Sequence, residues 1–377
     1  MKELAMSGGN TIICWDTTKL ETTLNQARLY NLSVIIGIDI PGVQFVDAYK
    51  NEEKVAALYA ACNRIVLKYK DHPATFAWCL GNELTFPFSP DYDLFYTAYN
   101  RMLVMIHEKD PNHPVCTTVI NAPKRAFLAL QWRIPSLDFI GINTYNSLKK
   151  LKKEIAMVKL FWNGAYFVSE WAPKGGWESS VTSWQAPLEE NSSQKAQEYY
   201  DFFTKYMPVK DPQFLGSVAF YWGSRYEYTH TWYSIFDENG APTEIKEALN
   251  DCWKDTITQH NSPQITDILI DGNLVAKDNI IINAGSRHKA EIILKTGKLA
   301  DTLQYAWQIV KDDWSLWAKP WANFKKPAAE IGLLSNSTTQ HTAFTAALKE
   351  GPYRIFVVVY NSKGYCALAN TPFYVIE

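Results

Sequence analysis

The sequence has no basic tract, no long apolar run, and no cysteine pair at metal-ligand or redox spacing. Each absence removes a class of protein. With a net charge of −2 and no cluster of Lys or Arg, the chain lacks the electrostatic footprint of a nucleic-acid binder. No apolar run approaches the ~18 residues that a membrane helix needs, so no span is expected. The six cysteines, Cys14, Cys62, Cys79, Cys116, Cys252 and Cys366, form no motif. Cys14, Cys79 and Cys116 fall inside apolar strand-like runs and read as buried free thiols. No signal peptide is visible. Met1 to Met6 reads as the tail of a helix, so the expectation is an N-terminally truncated chain, with secreted or periplasmic localisation left open. Sequons start at Asn31, Asn191 and Asn336 and matter only in a glycosylating host. What the chain has in quantity is aromatic side chains, 14% of the total with 14 Trp. Aromatic faces serve as stacking platforms for sugars, and they also fill large cores.

Strand and helix patterns alternate from residue 11 to about 255. Strands are expected to start at 11, 33, 75, 115, 138, 165 and 215. Helices are expected over Thr18–Tyr30, Glu52–Tyr69, Asp91–Lys109, Lys124–Trp132, Leu148–Trp162, Ser193–Tyr206 and Thr243–Trp253. Such alternation means a parallel sheet with helices outside. Residues 256–263 read as a linker. Beyond it the helical period disappears, and about seven short strands with Gly, Asn and Pro turns suggest an immunoglobulin-like sandwich over 264–377, with Trp307 in its core and no disulfide. Trp314, Trp317, Trp321 and Phe324 cluster in one stretch and read as aromatics that dock this domain or bind glycan.

Two segments carry the chemistry. Phe76-Ala77-Trp78-Cys79-Leu80-Gly81-Asn82-Glu83 and Ala165-Tyr166-Phe167-Val168-Ser169-Glu170-Trp171 are apolar runs of strand length, each leading into a glutamate. Strands buried on both faces read as continuous apolar sequence. Carboxylates at the C-terminal ends of such strands sit where (β/α)-barrel enzymes build active sites. Two of them are the minimum equipment for cleaving a glycosidic bond. Trp78 and Asn82 are the neighbours expected to shape the surroundings of Glu83. His72 and His113 precede prolines in bottom-face turns and read as structural.

Trp78-x-x-Gly81-Asn82-Glu83 followed by Ser169-Glu170-Trp171 resembles the clan A retaining glycoside hydrolases, closest to the family 2 barrel of the β-galactosidase, β-glucuronidase and β-mannosidase group. Gly8 to Ile12, Ile140-Gly141-Ile142-Asn143-Thr144-Tyr145, and Gly216 through Tyr221-Trp222-Gly223 resemble strands two, six and eight of that barrel. The resemblance implies a (β/α)8 TIM-type barrel over 1–255, here without its first strand. It implies Glu83 as general acid/base on strand four and Glu170 as nucleophile on strand seven. Tyr145 would donate to Glu170, Asn82 to the substrate 2-hydroxyl, and Trp222 would stack under the sugar. Trp15, Asp16, Asn143, Trp171 and Trp232 are further rim candidates. No metal or organic cofactor is implied, and the expected partner is a β-glycoside or oligosaccharide. One departure stands out: the clan carries an Arg near the end of strand two, and this chain has Ile13 or Cys14 there. The expected reaction is hydrolysis with retention. A transglycosidase with the same glutamates and a catalytically impaired glycan-binding barrel are the rival readings.

Overall fold

The computed structural model describes residues 1–274, 278–295, 302–312 and 326–377. Trp314, Trp317, Trp321 and Phe324 lie outside the described residues. The chain divides into two compact units, Met1–Trp171 with Thr204–Phe220, and Ala172–Phe203 with Tyr221–Glu377.

The first unit is built on seven strands: β1 (Thr11–Cys14), β2 (Ser33–Ile38), β3 (Thr75–Leu80), β4 (Val115–Ile120), β5 (Phe139–Thr144), β6 (Ala165–Trp171) and β7 (Phe214–Ala219). They pair in chain order, every pair parallel, into one nearly closed barrel. Parallel neighbours need crossovers, and helices supply them. α1 (Lys2–Met6) precedes β1, and the crossovers from β1 to β6 carry α2 (Leu20–Leu29), α3 (Glu52–Tyr69), α4 (Asp93–Lys109), α5 (Lys124–Arg133) and α6 (Leu148–Val158). α3 starts where the Asn51 side chain accepts from Lys54 N–H, and it buries Cys62, Val66 and Tyr69 from its apolar stripe. A 3-10 segment, Val43–Lys50, precedes it, and no periodicity in the sequence announced it.

Inward positions of β2 to β6 fill the barrel. Ile35, Ala77, Cys79, Cys116, Phe139 and Phe167 form a buried cluster, with Ile13, Trp15, Ala165 and Val218 packed on it. Small residues on β3 and β4 leave room for the Phe139 and Phe167 rings, whose centroids are 5.5 Å apart. At the seam, β1 and β7 approach each other but share no hydrogen-bonded ladder among the described residues. Burial follows this. β2, β4, β5 and β6 are almost wholly buried, whereas all four residues of β1 are half-buried and Leu215 of β7 is exposed. The same seam corrects one expectation: Cys14 is half-buried, because its strand has a neighbour on one side only.

The second unit holds α7 (Ser192–Asp201), α8 (Glu244–Lys254) and the strands β8 (Ile265–Ile270), β9 (Ile281–Asn283), β10 (Arg287–Leu294), β11 (Gln304–Lys311), β12 (His341–Thr345), β13 (Gly351–Tyr360) and β14 (Cys366–Ile376). One sheet has the order β12-β10-β8 and the other β11-β13-β14-β9, with β9 and β14 parallel and the other pairs antiparallel. With β9 set aside as an added edge strand, the first, second and fourth strands lie on one sheet and the third, fifth and sixth on the other, the immunoglobulin-like arrangement with one strand fewer. Ile268, Ile292 and Phe344 from one sheet meet Trp307, Ile355, Val357 and Phe373 from the other in a single core. Trp307 is buried and its indole N–H donates to Thr339 C=O at 2.8 Å. All six cysteines are free. The sequon asparagine Asn191 is spoken for: it caps α7 and donates its amide to Thr266 C=O at 3.0 Å.

Residues 256–262 are fastened to α8 rather than loose. Asp251 accepts from Thr258, Glu247 accepts from the backbone of Asn261 and Ser262, and His260 lies between Glu244 at 3.1 Å and Asp251 at 2.9 Å. The hydrogen bond to Glu244, helped by Asp251 and opposed by burial, raises the His260 pKa from 6.5 to about 9. A raised folded-state pKa gives stability that is fully present below the unfolded value. It fades as pH climbs through about 9. His260→Gln is expected to cost on the order of 2 kcal/mol at pH 7, since it strips charged hydrogen bonds from two buried carboxylates. In thermal melts between pH 6 and pH 10, the gap between parent and variant should close toward the alkaline end. A gap independent of pH would refute the assignment.

Candidate active site

The Gly81-Asn82-Glu83 turn follows directly on β3, and its conformation explains its composition. Gly81 has φ +83°, and a Cβ there would meet Leu84 Cδ1 at 2.3 Å and Ile40 Cγ1 at 3.1 Å. Only glycine fits both demands. Glu83 itself sits in the left-handed region at φ 52°, a conformation that costs a non-glycine residue about 1–3 kcal/mol. Thr118 on β4 offsets that cost. Its hydroxyl accepts from Glu83 N–H at 2.8 Å, and its carbonyl accepts from Leu84 N–H at 3.1 Å. The Thr118 hydroxyl then donates to Asn82 Oδ1 at 2.8 Å. This leaves the Asn82 amide nitrogen outside any intramolecular hydrogen bond among the described residues, on an exposed side chain.

Glu170 lies near the end of β6, in register with Asn143 on β5. Tyr145 is buried, donates its hydroxyl to Glu170 Oε1, and packs edge-on to Phe220. Asn143, 2% exposed, stands between the two carboxylates. Its Nδ2 is 3.0 Å from Glu83 Oε1, 3.3 Å from Glu170 Oε2 and 3.3 Å from Asn82 Oδ1. Two oxygens at 3.0 and 3.3 Å from one nitrogen are at most 6.3 Å from each other. Ser169 Oγ donates to Asn143 Oδ1 at 2.6 Å, which turns the amide nitrogen toward the glutamates. Gly141 makes this possible, because a Cβ there would meet Ser169 Oγ at 2.7 Å.

Glu83, Glu170, Asn82, Asn143 and Tyr145 therefore meet at the C-terminal end of the barrel strands. The remaining sequence candidates are placed differently. Trp171 is completely buried. Trp15 is half-buried with its ring laid on Gly37, where a Cβ would come within 2.1 Å of it. Asp16 is exposed and ties down its own turn by accepting from Thr18 N–H at 2.9 Å. Trp222 and Trp232 belong to the second unit. Trp222 packs on Trp253 and Phe236, and buried Trp232 donates to Lys174 C=O at 3.1 Å. Trp78 does not neighbour Glu83. Its indole donates to Asp110 at 2.8 Å, at the opposite end of the strands, where Asp110 also holds His113. Ile13 packs in the barrel core, so the place of the clan's strand-two Arg is apolar.

Sequence reasoning passed over Thr118 and Ser169. The signal was there: each is a buried hydroxyl in a largely apolar strand, 1% and 4% exposed. A buried hydroxyl must find a partner. Among the described residues no group of three His, Cys, Asp or Glu could hold a metal ion, and no helix is long and apolar enough to cross a membrane.

No family model matches the sequence, and no curated protein is similar to it by sequence. Solved structures are similar in fold. A Bifidobacterium dentium β-glucuronidase in complex with coumarin-3-O-glucuronide has 13% identity, with 67% of this chain and 42% of that chain covered, and a TM-score of 0.52. A β-galacturonidase from Eisenbergiella tayi bound to galacturonate has 12% identity, 67% and 46% coverage, and a TM-score of 0.53. The aligned part thus spans less than half of either enzyme. Together with the wholly parallel seven-stranded sheet, these likenesses show that the first unit has a (β/α) barrel fold.

Proposed function

We propose that this chain is a retaining β-glycoside hydrolase. The observation that carries the reading is the reach of one amide nitrogen, Asn143 Nδ2, to both Glu83 and Glu170, which keeps their nearest oxygens within 6.3 Å. Retaining enzymes hold their carboxyl groups about 5–5.5 Å apart, and inverting enzymes about 6.5–9.5 Å, to leave room for water. Glu170 attacks the anomeric carbon and forms a covalent glycosyl-enzyme, while Glu83 protonates the departing oxygen. Glu83 then takes a proton from the water that releases the sugar. Tyr145 holds Glu170 in line, and the outward nitrogen of Asn82 meets the 2-hydroxyl. Trp15 is a proposed sugar contact. Because similar folds occur in enzymes named for glucuronides and galacturonate, aryl β-uronides belong in the substrate panel beside the neutral β-hexosides.

The test is the anomer first released from an aryl β-glycoside, followed by proton NMR before mutarotation. The β-anomer is expected, and the α-anomer would overturn the double displacement. Added methanol separates hydrolase from transglycosidase: predominant methyl glycoside would favour the latter. Sugar binding with no turnover on any glycoside would favour the impaired barrel.

A further inference from the structure

Asn143 is doing something its place on the rim did not suggest. An amide nitrogen has two protons, and Asn143 Nδ2 faces three acceptors, two of them carboxylate oxygens. The side chain is 98% buried, and its oxygen is taken by Ser169, itself 4% exposed. A buried amide anchored at its oxygen has no freedom to swing toward a sugar. We infer that Asn143 is a positioning residue that sets the spacing of Glu83 and Glu170 and donates to both, with Ser169 fixing its orientation. The inference rests on the retaining reading for its catalytic consequence only.

The physical argument is direct. Two carboxylates this close repel, and repulsion drives them either apart or onto a shared proton. A neutral donor placed between them offsets part of the repulsion without adding a charge that would lock both in the ionised form. Among the described residues, the titratable groups that share these hydrogen bonds are Glu83 from the β3 exit, Glu170 from β6 and Tyr145 from the β5 exit. Thr118, Asn82 and Ser169 contribute uncharged dipoles. Donation to a carboxylate favours its charged form, so removing the donor raises both titrations of the pair. Asn143→Ala removes it. Asn143→Asp keeps shape but sets an acceptor where the donor was. Ser169→Ala keeps the donor and frees its orientation.

The chain, labelled with carbon-13 at the glutamate carboxyls and assigned with Glu83→Gln and Glu170→Gln, is titrated by NMR. Asn143→Ala is expected to move both carboxyl titrations upward by about one pH unit, the size expected for a lost charged hydrogen bond. Asn143→Asp should move them further and Ser169→Ala less, in the same direction. On an aryl β-glycoside, kcat should fall on the order of 100-fold in Asn143→Ala with KM nearly constant, because the lost contact acts on the carboxyls and not on bound sugar. Titrations that stay in place in all three variants overturn the inference, whatever the activity. Titrations that move in a protein whose parent cleaves no β-glycoside support the positioning role and remove the glycosidase reading instead.

Discussion

Glu170→Ala is expected to lose about 10⁴-fold or more in kcat/KM on every β-glycoside, activated or not, a barrier increase of about 5.5 kcal/mol. Without a nucleophile there is no glycosyl-enzyme, and a better leaving group does not create one. Glu83→Ala should behave differently. Its nucleophile is intact, so an aryl glycoside that needs little protonation should still glycosylate the enzyme, and the intermediate should accumulate for want of a general base. Azide separates the two. In Glu83→Ala it attacks the intermediate from the face that water uses, giving the β-glycosyl azide. In Glu170→Ala it can enter only where the carboxylate stood, giving the α-glycosyl azide. The product anomers are read by NMR, and swapped anomers would exchange the roles of Glu83 and Glu170. The hydrogen bond from Tyr145 to Glu170 supports the assignment as written.

Much of this was legible in the sequence, for a physical reason. A strand covered on both faces has to be apolar throughout. Thr75–Leu80 and Ala165–Trp171 therefore announced themselves, and the glutamates at their ends stood out against them. The amphipathic stripe of Glu52–Tyr69 and the strand starts at 11, 33 and 165 were equally plain. What sequence could not give is direction. Trp78 is five residues from Glu83, but it bonds to Asp110 at the far end of the barrel. Asn143 and Glu83 are 60 residues apart and lie on strands that are not neighbours, so no local spacing relates them. Thr118 and Ser169 were visible as hydroxyls in apolar strands, but their partners come from other strands. The same limit hid Arg354, a lone cation in the run Gly351–Tyr360 whose partners lie 16 to 167 residues away.

Arg354→Ala is expected to be the most destabilising single change in the second unit, at about 3–5 kcal/mol, the usual cost of leaving one half of a buried ion pair. Arg354 on β13 is 1% exposed. Its guanidinium donates to Asp312 at 2.9 Å, to Asn370 Oδ1 on β14 at 2.7 Å, and to Pro187 C=O at 2.9 Å. Asn370 passes the connection on, donating to Glu189 at 2.7 Å and Thr231 Oγ at 3.0 Å. Burial alone would raise the pKa of Glu189, but Lys195, Thr229 and Arg354 outweigh it and hold the carboxyl below its usual range. Arg354 and Asn370 thus add to the ties that hold segments 187–195 and 229–231 to the sandwich, beside the bond from Asn191 to Thr266. Truncating Arg354 removes the hydrogen bonds that it gives to the Asp312 carboxylate, the Asn370 oxygen and the Pro187 carbonyl, and leaves a void among them. An apolar replacement of both charges, Arg354→Met with Asp312→Leu, should cost far less than the two single changes added together, since neither charge is then left buried alone. Urea unfolding of the four proteins closes the cycle. If Arg354→Ala costs under about 1 kcal/mol, the network contributes no more than a surface pair would, and its hold on these segments is refuted.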